Sequence, residues 1–184
     1  MQPAEFTVFE TQLGWIALAW RENVVVRLAL PGHDRDATRR GLLRNGLAAV
    51  EAEPSLAIRQ VIQDVARYAA GERVDFSPVP VLLEPVDPLR SAIYAALRQI
   101  GYGQTLTYGE LAERAGYPGQ AREIGQAMGR NPVPLIVPCH RVLAAGGRPG
   151  GFSAPGGTAT KLRMLALEGV RLDRVDPAQA AFAF

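Results

Sequence analysis

The only cysteine of the chain, Cys139, stands directly before one of its two histidines, His140. The pair ends an apolar run over residues 131–138, and the ring of Pro138 fixes the backbone angle just ahead of the thiol. A lone cysteine is most often a small apolar residue of the core. Here His140 and Arg141 follow at once, and a neighbouring cation stabilises the thiolate, the nucleophilic form of the group. The residue types therefore favour a reactive cysteine, held ionised beside an imidazole.

Length and composition limit what the chain can be. Its 184 residues, 48% of them hydrophobic, suffice for one large core or two small ones. No apolar stretch reaches the roughly 18 residues that span a bilayer, and residues 1–5 lack the pattern of a signal peptide. A single cysteine forms no internal disulfide, which favours the cytoplasm. Only Cys139, His33 and His140 are soft ligands, so no zinc site is expected. No membrane partner is expected either, because no apolar stretch is long enough to span a bilayer.

The net charge of +2 is unevenly distributed along the chain. Residues 85–170 contain nine Lys and Arg against five Asp and Glu, whereas residues 1–84 contain nine Arg against eleven acids. A basic C-terminal half permits nucleic-acid binding there. The same asymmetry is common in proteins that never contact DNA, so charge alone does not decide between the two.

The N-terminal half has the pattern of strands followed by helices. Apolar runs separated by glycine or polar turns predict antiparallel strands at 6–9, 15–20 and 24–30. Helical spacing of apolar residues then predicts two helices, a weaker one over 35–50 and a stronger one over 55–70. The apolar stripe of the second helix is typical of a core-facing helix.

Four prolines within residues 76–88 mark the best domain boundary. We therefore predict an N-terminal domain at 1–84, a C-terminal domain at 85–170 and a tail at 171–184. The tail has the composition of a poorly ordered segment, although Phe182 and Phe184 are candidates for docking onto the protein.

The C-terminal half has a helical pattern with clear starting residues. Asp87 is a predicted N-cap for a helix that starts at Pro88. Thr107 and Glu110 have the spacing of a capping box, which predicts a helix over 107–115. A glycine-bearing turn and a second short helix over 120–128 follow, as in a helix-turn-helix. A glycine-rich loop then leads into a last helix over 158–168.

Five groups of residues in the C-terminal half match one known family. They are Thr107-Tyr108-Gly109-Glu110, Ala121-Arg122-Glu123-Ile124-Gly125, Asn131-Pro132-Val133-Pro134, Pro138-Cys139-His140-Arg141-Val142 and the spaced set Lys161, Leu165, Glu168 and Gly169. The chain from about Asp87 to Gly169 thus resembles the O(6)-alkylguanine-DNA alkyltransferases, also called methylated-DNA–protein-cysteine methyltransferases. The Pro-Cys-His-Arg-Val run preceded by Asn-Pro is highly specific. The N-terminal half is similar only in its order of strands and helices.

The resemblance implies both a fold and an activity. The fold is α+β: a small N-terminal α/β domain, ribonuclease-H-like, with an antiparallel sheet plus helices, and then a mostly helical C-terminal domain with a helix-turn-helix. The activity is DNA repair by a monomer without a cofactor. The protein binds double-stranded DNA through the minor groove and flips O(6)-alkylguanine, with O(4)-alkylthymine as an open alternative, out of the stack. It then transfers the alkyl group irreversibly to Cys139, once per molecule.

The resemblance also implies roles for individual residues. Cys139 is the nucleophile, a water relays its proton to His140, Glu168 orients the imidazole and Asn131 braces the cysteine segment. Tyr108 crowds the phosphate beside the flipped nucleotide and donates to the guanine ring, and Arg122 fills the gap that the base leaves. The remaining residues assigned to DNA or base binding are Pro134, Arg141, Val142, Phe152 and Ser153.

The pocket loop departs from the usual Tyr-Ser-Gly-Gly of the family. Phe152 stands where a phenolic hydroxyl is usual, and Ala154-Pro155 has the length of a two-residue insertion. Losing a donor of this kind can lower a rate by about 10²–10³ where the donor contributes. We therefore expect a changed alkyl preference or slower transfer, with activity retained.

Three other functions remain open from the residues alone. An alkyltransferase-like sensor binds alkylated guanine without transfer, but such proteins generally lack the reactive cysteine. A thiol hydrolase or acyltransferase could use Cys139 and His140, although neither an oxyanion hole nor a distant base is identifiable. A plain helix-turn-helix transcription factor would function without Cys139.

Overall fold

The computed structural model describes residues 3–83 and 87–172. Phe182 and Phe184, and all but the first two residues of the predicted tail, lie outside these ranges. Within the part of the chain that is described, no helix is both long and apolar enough to cross a membrane. The architecture is mixed α/β, with a four-stranded sheet followed by a predominantly helical region.

A four-stranded sheet forms the N-terminal half. Its strands are β1 (Ala4–Thr11), β2 (Gly14–Arg21), β3 (Val24–Ala29) and β4 (Ala49–Glu51), arranged in the order β3-β2-β1-β4. β1–β2 and β2–β3 are antiparallel, as the sequence predicts, because short turns join them. β4 instead pairs parallel to β1, so the prediction of a purely antiparallel sheet is wrong at this edge.

The predicted helix over 35–50 is also wrong in its second half. Helix α1 (Arg35–Leu42), capped by the side chain of Asp34, ends after two turns. Asn45 and Gly46 then adopt left-handed backbone angles, with φ of 58° and 74°, which no α-helix accommodates. The chain is thereby redirected into β4, and the crossover through α1 makes a parallel pairing possible.

Helices cover both faces of the sheet. α1 packs on one face, where Leu42 joins a small cluster with Phe6 and Val26. The opposite face carries Ile16, Leu18 and Trp20. Against these residues lies α2 (Leu56–Ala69), which is capped by Ser55, as well as most of the C-terminal half. A single buried cluster therefore joins residues from both sides of the predicted boundary, and the division into two domains stays a prediction.

Four further helices build the C-terminal half: α3 (Pro88–Arg98), α4 (Tyr108–Arg114), α5 (Ala121–Gly129) and α6 (Gly157–Leu167). The predicted caps are confirmed: Asp87 accepts from the backbone of Arg90, and Thr107 and Glu110 form a reciprocal capping box. Two short parallel strands, β5 (Leu106–Thr107) and β6 (Val142–Leu143), were not predicted and tie α4 to the cysteine segment. α4 and α5 form a packed pair joined by a short turn.

The free edge of β3 is covered by chain from further along the sequence. Val25 exchanges backbone hydrogen bonds with the proline-rich segment, donating to Pro80 and accepting from Leu82, each at 2.9 Å. Leu28 donates to the carbonyl of Pro132, also at 2.9 Å. The second contact connects the sheet directly to the segment that precedes Cys139.

Candidate active site

Cys139 lies in a single 3₁₀ turn with His140 and Arg141, directly after Pro138. The turn is held at one end by β6 and at the other by the segment 131–138. Cys139 is 6% exposed and is one of the residues that line a cleft of about 470 Å³, whose opposite wall comes from residues 27–45 of the N-terminal half. A cleft of this size is typical of a small-molecule or base-sized ligand. The cysteine is therefore buried but not sealed.

Asn131 is hydrogen-bonded to the cysteine segment at three points. Its side-chain amide donates to the carbonyl of Val137 at 2.7 Å and lies 3.3 Å from the Sγ of Cys139. Its side-chain oxygen accepts from the backbone of Val133 at 3.0 Å. Between these points Leu135 adopts a left-handed φ of 75°, which is unusual for a residue with a branched side chain. Asn131 thus holds the cysteine segment, while its role in bracing that segment against the helix-turn-helix stays a prediction.

Behind the cysteine, a buried carboxylate collects five hydrogen bonds. Oε1 of Glu168 accepts from His140 Nε2 at 2.7 Å, from Tyr68 at 2.9 Å and from Arg141 Nη2 at 3.0 Å. Oε2 accepts from Arg141 Nε at 2.8 Å and from the backbone of Gly103 at 3.0 Å. Burial alone would raise the pKa of Glu168, but the hydrogen bonds and charges of His140 and Arg141 outweigh it and lower the pKa to about 2.

The ionised carboxylate sets the tautomer of His140. Because Glu168 can only accept, Nε2 of the imidazole must carry the proton, which leaves Nδ1 as the acceptor. Among the described residues, no side chain or backbone group is hydrogen-bonded to this buried Nδ1. The imidazole is thus oriented from one side and free to accept a proton from the other. The side chains of Cys139 and His140 are not hydrogen-bonded to each other, and the water relay stays a prediction.

The expectation that the cysteine is held ionised at rest needs correction. Burial raises the pKa of the Cys139 thiol, and the contacts from Asn131 and Lys161 offset this only in part. Burial likewise lowers the pKa of His140, against the opposing influence of Glu168. The free protein therefore holds a neutral thiol and a neutral imidazole.

Lys161 is a buried cation that the sequence reasoning named without giving it a role. It is 1% exposed, and its Nζ donates to the carbonyl of Val142 at 2.5 Å. Burial lowers its pKa to about 8, and Cys139 acts against that shift, which places the charge near the sulfur. Its spacing to Met164 and Leu165, both buried, puts it on the inner face of α6. The sequence signal that could have revealed this buried charge is the position of Lys161 on the apolar face of a predicted helix.

We expect Lys161→Met to make Cys139 less reactive. Removing a nearby positive charge disfavours the thiolate, so the pKa of the thiol rises further and alkylation by iodoacetamide at neutral pH slows by about threefold or more. The rate is measured by mass spectrometry across a pH series. Arg163→Met, on the same helix but directed at the backbone of Gln12 and Leu13, is the matched control. Equal rates in the wild type and Lys161→Met would contradict the assignment.

Arg141 does not lie where the sequence assigned it. The guanidinium of Arg141 is bonded to Glu168 and to the carbonyl of Ile100, and the residue is only 5% exposed, so it cannot contact DNA. Val142 is fully buried in β6 and is not part of the cleft wall. The assignment of Arg141 is wrong because the residues after the cysteine turn inward to build the support of His140, whereas the contact of Val142 with a base stays a prediction.

The other predicted site residues lie around the opening. Pro134, Phe152 and Ser153 line the cleft together with Cys139. Tyr108, at the start of α4, packs over the glycine-rich loop, where a Cβ on Gly150 would lie 3.2 Å from its ring. Burial and then the nearby Cys139 raise the pKa of Tyr108. Arg122 is exposed near the start of α5, outside the cleft wall.

A lone cysteine at a cleft wall, with an oriented histidine behind it, is an arrangement typical of proteins that react through a thiol nucleophile. Within the described residues, no group of three or more His, Cys, Asp and Glu side chains could hold a metal ion. Fold and site together define a mixed α/β protein with a cysteine at the wall of a cleft.

Comparison with known proteins identifies the family. Residues 88–170 match the family described as 6-O-methylguanine DNA methyltransferase, DNA binding domain. The methylated-DNA–protein-cysteine methyltransferase of Mycolicibacterium paratuberculosis is 34% identical over 164 residues, which cover 89% of this chain and 92% of that protein. The chain belongs to the methylated-DNA–protein-cysteine methyltransferase family.

Solved structures agree in fold over nearly the whole chain. The crystal structure of Mycobacterium tuberculosis OGT in complex with DNA has a TM-score of 0.75 at 30% identity, covering 89% of this chain and 92% of that one. The O6-methylguanine-DNA methyltransferase of Pyrococcus kodakaraensis strain KOD1 has a TM-score of 0.68 at 27% identity, covering 91% and 99%. The similarity thus extends to the N-terminal half, which the sequence motifs supported only weakly.

Proposed function

We propose that this protein repairs DNA by transferring an alkyl group from O(6)-alkylguanine to the Sγ of Cys139, once per molecule. One observation carries the proposal: the only cysteine lies at the wall of a cleft, backed by the buried pair His140 and Glu168. Family membership supports the choice of substrate. A thiol hydrolase is disfavoured because the relatives that cover most of the chain are named methylated-DNA–protein-cysteine methyltransferases.

The buried residues supply the chemistry of a direct displacement. As the sulfur attacks the alkyl carbon, its proton passes by way of a water to Nδ1 of His140, and Glu168 stabilises the imidazolium. The S–C bond forms while the C–O bond to guanine breaks, and the electron pair of that bond stays on the guanine oxygen. Tyr108 donates a hydrogen bond to the guanine ring, which takes up a proton from solvent as the base leaves, and the imidazolium of His140 returns its proton to solvent. Because a thioether is a poor leaving group, the alkylated cysteine is not regenerated.

The pair α4–α5 acts in this proposal as a helix-turn-helix that binds duplex DNA through the minor groove. Its support is the exposed position of Arg122 at the start of α5 and the packing of Tyr108 against the loop that carries Ser153. The N-terminal half is proposed to have a ribonuclease-H-like topology. A monomer suffices, because one chain supplies every residue assigned to the reaction.

We expect Arg122→Ala to slow transfer from duplex DNA by roughly one to two orders of magnitude, since extruding a base costs a few kcal/mol that an inserted side chain offsets. Transfer from the free base O(6)-benzylguanine needs no extrusion and should keep the wild-type rate. Both rates are measured by quenched-flow mass spectrometry. Arg59→Ala, an exposed arginine of α2 outside the pair α4–α5, should change neither rate. Equal loss with duplex and free base would contradict the insertion role.

The proposal as a whole is tested by incubating the protein with a duplex that contains one O(6)-methylguanine. Intact-mass and peptide analysis should find one added methylene unit per molecule, at Cys139, and none with the unmodified duplex. Binding to the alkylated duplex without a mass gain would instead identify a damage sensor. Modification at another residue would refute the role of Cys139.

A further inference from the structure

Tyr68 brings the N-terminal half of the chain into the support of the active site. It lies near the end of α2, in the apolar stripe that the sequence identifies as core, and it is fully buried. Its hydroxyl nevertheless does not end among apolar groups. It donates to Oε1 of Glu168 at 2.9 Å and lies 3.5 Å from Nε2 of His140.

We propose that Tyr68 is a positioning residue for the transfer: its hydroxyl fixes Oε1 of Glu168 against His140 and limits how strongly that carboxylate holds the imidazole proton. The inference rests on the proposed function, because it assigns a residue to the reaction of Cys139. It gives the N-terminal half a direct part in the chemistry of the C-terminal half.

The geometry around Oε1 explains how a hydroxyl can have this effect. A carboxylate oxygen offers about two lone pairs, yet Oε1 has three donors within 3.0 Å, from His140, Tyr68 and Arg141. Each donor draws on the same negative charge, so the attraction left for His140 depends on the other two. Arg141 also bonds Oε2 and remains in place without Tyr68. Arg141 therefore fixes the position of the Glu168 carboxylate, whereas Tyr68 adjusts how strongly Oε1 attracts the proton of His140.

A packing role alone does not account for the hydroxyl. The ring of Tyr68 makes edge contacts with Phe76 and Tyr102, at centroid distances of 5.9 and 6.3 Å, and phenylalanine would keep both. Burial and the adjacent Glu168 raise the pKa of Tyr68, so the phenol stays protonated and acts as a donor. Packing requires only the ring of Tyr68. The hydroxyl, which donates to the buried carboxylate of Glu168, is not needed for it.

Other titratable groups face this network and remain unchanged when only the hydroxyl of Tyr68 is removed. They are Cys139 and Arg141 on the cysteine turn, Lys161 on α6, Tyr102 with Arg73 stacked on its ring, and Asp75 near Arg141. A difference between the wild type and Tyr68→Phe therefore reports the hydroxyl itself.

The test measures the protonation of His140 directly. The chain has two histidines, and the other, His33, is exposed, so an NMR titration resolves them. In Tyr68→Phe, Glu168 has one donor fewer and attracts the imidazole proton more strongly. We expect the pKa of His140 to rise by about half a unit, which slows transfer from the methylated duplex about threefold on the acid side of its pH profile.

Two further variants complete the design. Tyr94→Phe removes another fully buried hydroxyl, one that donates to the carbonyl of Ala127, and should leave the pKa of His140 unchanged. A 3,5-difluorotyrosine at position 68 makes the phenol a stronger donor while keeping its shape. It should lower the pKa of His140, and it also serves as the test if Tyr68→Phe does not fold.

The outcomes separate this inference from the proposed function. A pKa of His140 that is the same in the wild type, Tyr68→Phe and the fluorinated protein overturns the role of Tyr68, even if transfer proceeds. Opposite shifts in the two variants support it. If the wild type takes no alkyl group from DNA, the proposed function fails, whereas the titration still decides whether Tyr68 controls His140.

Discussion

Alanine at position 139 is expected to abolish transfer of an alkyl group from DNA while the protein stays folded and binds the alkylated duplex. The chain has no second cysteine that could accept the group. Sγ takes part in one side-chain hydrogen bond, from Asn131 at 3.3 Å, so its loss should lower the free energy of unfolding by only about 1 kcal/mol. Peptide mass spectrometry, together with a DNA-binding titration, checks both halves of the expectation.

Serine at the same position provides the matched control for this experiment. It keeps the size of the side chain and a hydrogen-bonding atom for Asn131, but its hydroxyl ionises far less readily than a thiol. Both variants should therefore bind and neither should react. A methyl group added at any position other than 139, in either protein, would show that the acceptor is another residue.

Replacing Glu168 by glutamine is expected to destabilise the fold strongly and to slow transfer by about 10²-fold or more. The neutral side chain leaves the buried Arg141 without its counter-charge, for which a cost of about 3–5 kcal/mol is typical. An amide also presents two hydrogens to a site where five donors converge. The imidazolium of His140 loses its stabilising charge, and the contribution of base catalysis is lost with it. Chemical denaturation and single-turnover kinetics measure the two effects.

The same carboxylate makes the wild-type protein sensitive to acid. The pKa of Glu168 is lowered to about 2 in the folded protein, so its stabilising contribution is complete above its ordinary pKa of 4.5. That contribution, on the order of 3 kcal/mol, is lost as the pH falls from about 5 towards 2. Glu168→Gln should lack this dependence. Glu72→Gln, which breaks an exposed ion pair with Arg67, should retain it and lose little stability.

Local patterns explain what could be predicted from the sequence. The caps at Asp87 and Thr107 depend on hydrogen bonds with the residue three positions further along the chain, and the strands before residue 30 are joined by short turns. Such features are determined within a few residues. The parallel pairing of β4 with β1 is not, because it depends on where α1 stops, and that follows from the left-handed angles at Asn45 and Gly46.

The candidate site divides in the same way. Cys139 and His140 are adjacent in sequence, and their neighbourhood indicated chemistry before any fold was known. Arg141 was predicted to contact DNA because its residue type does not reveal whether its side chain points to solvent or into the core. In the structure it is buried against Glu168. Tyr68 was unavailable to sequence reasoning, since 72 residues separate it from His140 and 100 from Glu168. The apolar stripe of α2 correctly predicted that Tyr68 is buried, but it gave no indication that the hydroxyl of this residue contacts Glu168.

The covered edge of β3 has a consequence for behaviour in solution. An unpaired edge strand invites pairing with another molecule, which leads to aggregation. Here Pro80, Leu82 and Pro132 satisfy backbone groups of β3, and the other edge strand, β4, is only three residues long. Breaking the hydrogen bond between Leu28 and Pro132 would expose the edge of β3 to pairing with other molecules and would at the same time loosen the cysteine segment. Loss of reactivity and the onset of self-association should therefore coincide on heating.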